Sequence, residues 1–129
     1  MRAKIFIVED NPLNLKLHRD ILEYRGHEVS FATTVPEARA RLQAERPDVV
    51  LLDIHVPGGG GEQLLREIRD TPPLADLPVV AVTALAMEGD RERLLALGFD
   101  GYLAKPIDTR TFGPTIESFL KVPGAPDDP

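Results

Sequence analysis

Four short apolar runs in this chain each end on polar residues suited to phosphate or metal chemistry. Ile5–Val8 ends on Glu9 and Asp10, Val49–Leu52 on Asp53, Val79–Val82 on Thr83, and Tyr102–Ala104 on Lys105. If the runs lie side by side as parallel strands, three carboxylates, a hydroxyl and an ammonium group meet at one sheet edge. In open α/β sheets that edge, outside the carboxyl ends of the strands, is where ligands bind. Clustered carboxylates repel one another unless a cation sits among them. Mg²⁺ favours octahedral oxygen from one or two carboxylates, waters and a phosphate. Glu9 and Asp10 also have a plainer role, because acidic side chains are favoured near a helix start. Asp53 has no such role: it closes a fully apolar run just before a Pro/Gly loop. Taken singly, Thr83 reads as a β-branched strand end and Lys105 as a surface lysine. Taken together, they supply the hydroxyl donor and the cation that a phosphorylated carboxylate needs. Ala84 is small and leaves room for the phosphoryl group.

The elements that must place these residues alternate short apolar runs with longer helical patterns. That order predicts βαβ units and a parallel sheet covered on both faces. The first strand is expected over Lys4–Val8, followed by a helix with Asn11 as N-cap and Pro12 at its first position. Leu13, Leu17 and Ile21, four apart, read as its buried stripe. Gly26 suits the left-handed residue that ends it. The second strand, Glu28–Ala32, alternates apolar and polar residues like an edge strand, and the second helix spans Val35–Glu45. The third strand, Val49–Leu52, is apolar throughout and therefore central. A loop with Pro57 and Gly58–Gly61 leads to a third helix over Glu62–Asp70, which Pro72 and Pro73 stop. The fourth strand is Val79–Val82, the fourth helix Met87–Leu97, and the fifth strand Gly101–Ala104. The last helix carries Phe112, Ile116 and Leu120. Gly113-Pro114 interrupts its pattern, so the helix is expected to start late, with Pro114 at its first position. His18 and His27 read as surface residues.

The chain has 129 residues, 43% of them hydrophobic, enough for one core and one domain. Residues 1–122 form that domain, and the proline-bearing tail 123–129 is expected to be disordered. A net charge of −6, with scattered Lys and Arg, argues against nucleic acid as a partner. There is no Cys, hence no disulfide framework, which is compatible with a cytoplasmic location. No run approaches the length of a membrane span.

With these residues in order, the chain resembles a response-regulator receiver domain from about Ala3 to Leu120. The resemblance rests on Val8-Glu9-Asp10-Asn11, Asp53 with Pro57 four residues on, Val82-Thr83-Ala84 and Lys105-Pro106-Ile107. The distances from Asp53 also fit: 83 − 53 = 30 and 105 − 53 = 52. The segments Val79–Asp90 and Leu103–Ile107 look like stand-alone receivers of the cell-division (DivK-like) type, and like receiver modules of hybrid histidine kinases. The resemblance implies a flavodoxin-like fold with five helices and strand order 2-1-3-4-5. It implies that Asp53 is the phosphoacceptor. Glu9, Asp10, Asp53 and the backbone carbonyl of His55 would hold Mg²⁺. Thr83 would be the switch hydroxyl, Tyr102 the aromatic that turns with it, and Lys105 the phosphate-sensing cation before a cis Pro106. The implied partners are a histidine kinase or histidine phosphotransfer protein, and a downstream protein at the face of the fourth helix, fifth strand and fifth helix. That face or the first helix would also serve a homodimer.

Gly58-Gly59-Gly60 departs from the family pattern and reads as a slack loop. His55, two residues after Asp53, sits at the rim, where it either alters phosphoryl lifetime or faces solvent. The reading is a phosphorylation switch rather than a turnover enzyme, with no output domain expected after the last helix. The rivals are an aspartyl phosphohydrolase, a phosphorylation-independent pseudo-receiver and a module of a hybrid kinase. The first commonly needs an acid two residues after its nucleophile, where this chain has His55. The complete set of Glu9, Asp10, Asp53, Thr83 and Lys105 weighs against the second, and a start at Met1 against the third.

Overall fold

The computed structural model describes residues 2–58, 60–84 and 89–120. The order is β1 (Lys4–Val8), α1 (Pro12–Tyr24), β2 (Glu28–Ala32), α2 (Val35–Ala44), β3 (Val49–Asp53), α3 (Gly61–Arg69), a short 3₁₀ turn (Pro72–Leu74), β4 (Val79–Thr83), α4 (Asp90–Leu97), β5 (Gly101–Ala104) and α5 (Phe112–Glu117). The five strands are parallel and ordered β2-β1-β3-β4-β5. The fold is the flavodoxin-like α/β sandwich that the resemblance implies.

Strand alternation divides the core into two layers. Ile5, Ile7, Val49, Leu51, Val80 and Val82 point to one face, where Leu15 and Leu22 of α1 and Phe112 and Ile116 of α5 cover them. Phe6, Val8, Val50, Leu52, Val79 and Ala81 point to the other, under α2, α3 and α4. The middle strands β3 and β4 are buried along their whole length, as a doubly covered sheet requires.

Three readings need correction. The inward face of α1 is Leu15, His18 and Leu22, whereas Leu13 is 79% and Leu17 38% exposed. A strict spacing of four drifts around a helix of 3.6 residues per turn, and the polar His18 hides the true stripe from a hydrophobicity pattern. His18 and His27 are buried, at 2% and 4% exposure, not on the surface. The last helix starts two residues earlier than expected, with Pro114 at its third position. The first-turn N–H groups have no partner inside the helix, so proline costs little there.

Asn11 caps α1, its Oδ1 accepting from the Leu13 and Asn14 N–H groups at 2.9 and 3.0 Å. The glycine loop is anchored at both ends. The Val35 N–H donates to the Pro57 carbonyl, and Gly61 packs so close to the Ile54 backbone that a Cβ would stand 2.9 Å from Ile54 Cα. The expected helix start at Met87 and the tail 123–129 lie outside the described residues. Among the described residues, no helix is long and apolar enough to cross a membrane.

Candidate functional site

The strand register alone assembles the site. Val8 lies opposite Leu52, so Glu9 follows onto the level of Asp53; Asp53 lies opposite Val82, and Thr83 opposite Ala104. The next residues along, Thr83 and Lys105, therefore top β4 and β5. The Lys105 N–H donates to the Thr83 carbonyl at 2.9 Å, which fixes the two tops together. The Lys105-Pro106 peptide is cis.

The Lys105 ammonium is the hub. Its Nζ is 2.7 Å from Glu9 Oε1 and 3.1 Å from Asp53 Oδ2. Glu9 Oε2 accepts the Asn11 N–H at 3.0 Å, and Asp53 Oδ1 accepts the His55 N–H at 3.0 Å. One oxygen from each of Glu9, Asp10 and Asp53 lies within 4.8 Å of the other two. Glu9 and Asp53 are buried, while Asp10 is exposed and marks the open side. Burial raises the Glu9 carboxyl above its usual range and outweighs the lowering contact with Lys105. Burial also pulls Lys105 down, but its hydrogen bonds to Glu9 and Asp53 outweigh that and hold it above an ordinary lysine.

Thr83 is buried at 2% exposure, Ala84 beside it is exposed, and Tyr102 is half-buried against the α2–α3–α4 layer. A cleft of about 170 Å³ opens beside Thr83, lined by Ile54, His55, Glu62, Asp90, Arg93 and Leu94. Arg93 of α4 reaches Glu62 of α3 at 2.9 Å. Every residue singled out at the strand ends thus lies at one edge of the sheet. His55 contributes its N–H to Asp53, while its side chain is exposed.

Sequence reasoning missed three features here. The direct Glu9–Lys105 pair joins residues far apart in the chain, and no local pattern signals it. The Arg93–Glu62 pair is hidden for the same reason. His18 stacks on Phe112 with ring centroids 4.9 Å apart, and burial followed by the Lys105 charge lowers its pKa to about 4.

Residues 5–117 match the response regulator receiver domain family. The chain belongs to that family. It is 41% identical to the polar-differentiation response regulator DivK of Brucella anthropi, over 93% of this chain and 98% of the relative. A receiver domain of a Pseudomonas aeruginosa sensor histidine kinase, solved with a magnesium ion in its active-site cleft, has a TM-score of 0.83 and 31% identity. That match covers 92% of this chain and 98% of the other. A phosphorylated cyanobacterial phytochrome response regulator has a TM-score of 0.78 and 30% identity, covering 92% and 91%. The receiver described here is thus a two-component signalling domain similar to DivK along nearly its whole length.

Proposed function

We propose that residues 1–122 act as a phosphorylation switch in which Asp53 accepts a phosphoryl group from a histidine kinase or histidine phosphotransfer protein. The observation that carries this reading is the charge balance at the strand ends. Glu9, Asp10 and Asp53 bring three negative charges, and Lys105, bonded to two of them, returns one. The surplus of two calls for a divalent cation, and the donors are all oxygen, which suits Mg²⁺. Glu9, Asp10, Asp53 and the His55 carbonyl would hold it. When bound, it would neutralise charge on the transferring phosphoryl oxygens. The magnesium-bound and phosphorylated relatives support the same assignment for this chain.

In the transfer, an Asp53 carboxylate oxygen attacks phosphorus as the P–N bond to the donor imidazole breaks. The bonding pair leaves with the imidazole nitrogen, and an acyl phosphate forms on Asp53. Lys105 already stands at Asp53 Oδ2 and pairs with a phosphoryl oxygen without a long excursion. Thr83 donates its hydroxyl to another. The space it leaves lets Tyr102 turn inward, and the face formed by α4, β5 and α5 changes its affinity for a downstream protein. This is a two-state equilibrium biased by a local charge change. Titrating Mg²⁺ and then beryllofluoride into the wild type and into Asp53→Asn tests the reading. A Mg²⁺-dependent response in the wild type alone is expected. Equal responses in both proteins refute it.

A further inference from the structure

The Gly113-Pro114 pair, an interruption in the helical pattern, has its explanation in space. The Arg25 side chain crosses α5 at Gly113, where an added Cβ would fall on Arg25 Cδ and stand 2.7 Å from Nε. Beyond that crossing, the guanidinium grips Glu117 with two bonds, Nε to Oε2 at 2.8 Å and Nη2 to Oε1 at 2.7 Å. Glu117 Oε2 also lies 2.7 Å from Nε2 of His27, whose side chain is fully buried. His27 Nδ1 accepts the Ala3 N–H at 3.1 Å, so a neutral ring carries its proton on Nε2 and donates it to Glu117. Arg25 first, with help from His27, holds the Glu117 carboxyl down at about 2.

Apart from the burial of Phe112 and Ile116 in the core, these bonds are what hold this helix. It has six residues and no side-chain cap bond at its start. A helix that short has almost no stability of its own. Its core side chains Phe112 and Ile116 share a layer with Val80 and Val82 of β4, but its remaining ring and polar contacts lead to α1 and the far end of the sheet. Phe112 stacks on His18 of α1, and Phe119 lies over Gly101, at the end of β5 remote from Lys105. The anchor at Ala3 precedes β1, while Glu9 follows it. Six residues at about 3.3 Å each put the two about 20 Å apart. Charges separated by that much are largely screened, because the Debye length is about 8 Å at physiological salt. On the other side, Asp90, Arg93 and Leu94 of α4 line the cleft beside Thr83 itself.

We propose that Arg25, His27 and Glu117 form a latch that fixes α5 to α1 and to the far edge of the sheet, so that α5 stays still while phosphorylation at Asp53 shifts the β4–α4 side of the output face. A partner then meets one stationary wall and one moving wall. The three residues are positioning residues, and the proposal rests on the phosphoswitch reading given above.

Amide hydrogen exchange on the full chain, with and without beryllofluoride and Mg²⁺, tests it in the wild type, Arg25→Ala and Gly113→Ala. Gly113→Ala is the discriminating variant. Alanine is the better helix former, yet its methyl pushes the flexible Arg25 side chain off Glu117. In the wild type, beryllofluoride is expected to change exchange in β4 and α4 and leave α5 unaltered. In both variants α5 exchange should rise about tenfold or more while β3 is unchanged, and α5 should now respond to beryllofluoride. Three results overturn the latch: α5 protection untouched in both variants, equal loosening of β3 and α5, or a wild-type α5 that responds as α4 does. No wild-type response anywhere would sink the phosphoswitch reading and the latch with it, whereas a response spreading to α5 sinks the latch alone.

Discussion

Replacing Lys105 by methionine keeps the length of the stem and removes the charge that Glu9 and Asp53 share. Two buried carboxylates, at 2% and 6% exposure, then face each other with no cation between them. The simplest relief is for one of them to bind a proton. Forcing a carboxyl of ordinary pKa 4.5 to be neutral near pH 7 costs about 1.36 × 2.5, or about 3.4 kcal/mol. That is the ceiling, since the exposed Asp10 side lets water in. About 2–3 kcal/mol is the expected loss, in line with breaking a partly buried ion pair. At about 4 °C per kcal/mol for a chain of this length, the melting temperature falls by about 8–12 °C. The sign of the pH dependence follows. Burial already raises Glu9 in the wild type, and loss of Lys105 removes the contact that opposes it, so the added penalty is absent below the unfolded pKa and grows as pH rises. At about pH 5 the ceiling drops to about 0.7 kcal/mol, from 1.36 × 0.5. Thermal unfolding of both proteins in chelator across that pH range measures the difference. Saturating Mg²⁺ should then stabilise Lys105→Met more than the wild type. A melting point unchanged near pH 7, or a deficit that widens toward pH 5, would refute the reasoning.

Gly61→Ala would set a methyl 2.9 Å from Ile54 Cα and 3.0 Å from the Asp53 carbonyl oxygen, both backbone atoms that cannot give way. A loss of about 1–3 kcal/mol is expected in the denaturant midpoint. His18 has its pKa lowered to about 4, from 6.5, so it stays neutral in the fold while the unfolded chain takes up a proton. The wild type should therefore lose stability relative to His18→Phe as pH falls from about 6.5 to 4, by about 2–3 kcal/mol at the acid end, and parallel acid profiles would contradict this. Thr83→Ala should still be phosphorylated at Asp53 but should lose the beryllofluoride-dependent change in tyrosine fluorescence from Tyr102. An undiminished change would remove Thr83 from the switch.

The strands were readable because each is a compact apolar run, and the site because each run stops abruptly on a polar residue. Asp53 was the clearest case, since nothing about packing asks for a carboxylate after Val49–Leu52. The helices were less readable where polar residues carry the packing. His18 occupies an inward position of α1, so the sequence pattern points to Leu13 and Leu17 instead of the true stripe. His27 is buried because two long-range partners, Ala3 and Glu117, satisfy both ring nitrogens. Gly113 read as a defect because Arg25, the side chain it admits, lies 88 positions earlier, 113 − 25. Pairs such as Glu9–Lys105 and Arg93–Glu62 depend on the assembled sheet, and a single sequence holds no local trace of them.

The central claim is that Asp53 is the residue that accepts a phosphoryl group, with a divalent cation among Glu9, Asp10 and Asp53. Treating the protein with acetyl phosphate, with and without Mg²⁺, and mapping the modified residue by peptide mass spectrometry tests it most directly. The account predicts a single hydroxylamine-sensitive phosphoryl group on Asp53 that forms only with Mg²⁺. A phosphoryl group on another residue, or equal labelling in chelator, would contradict it.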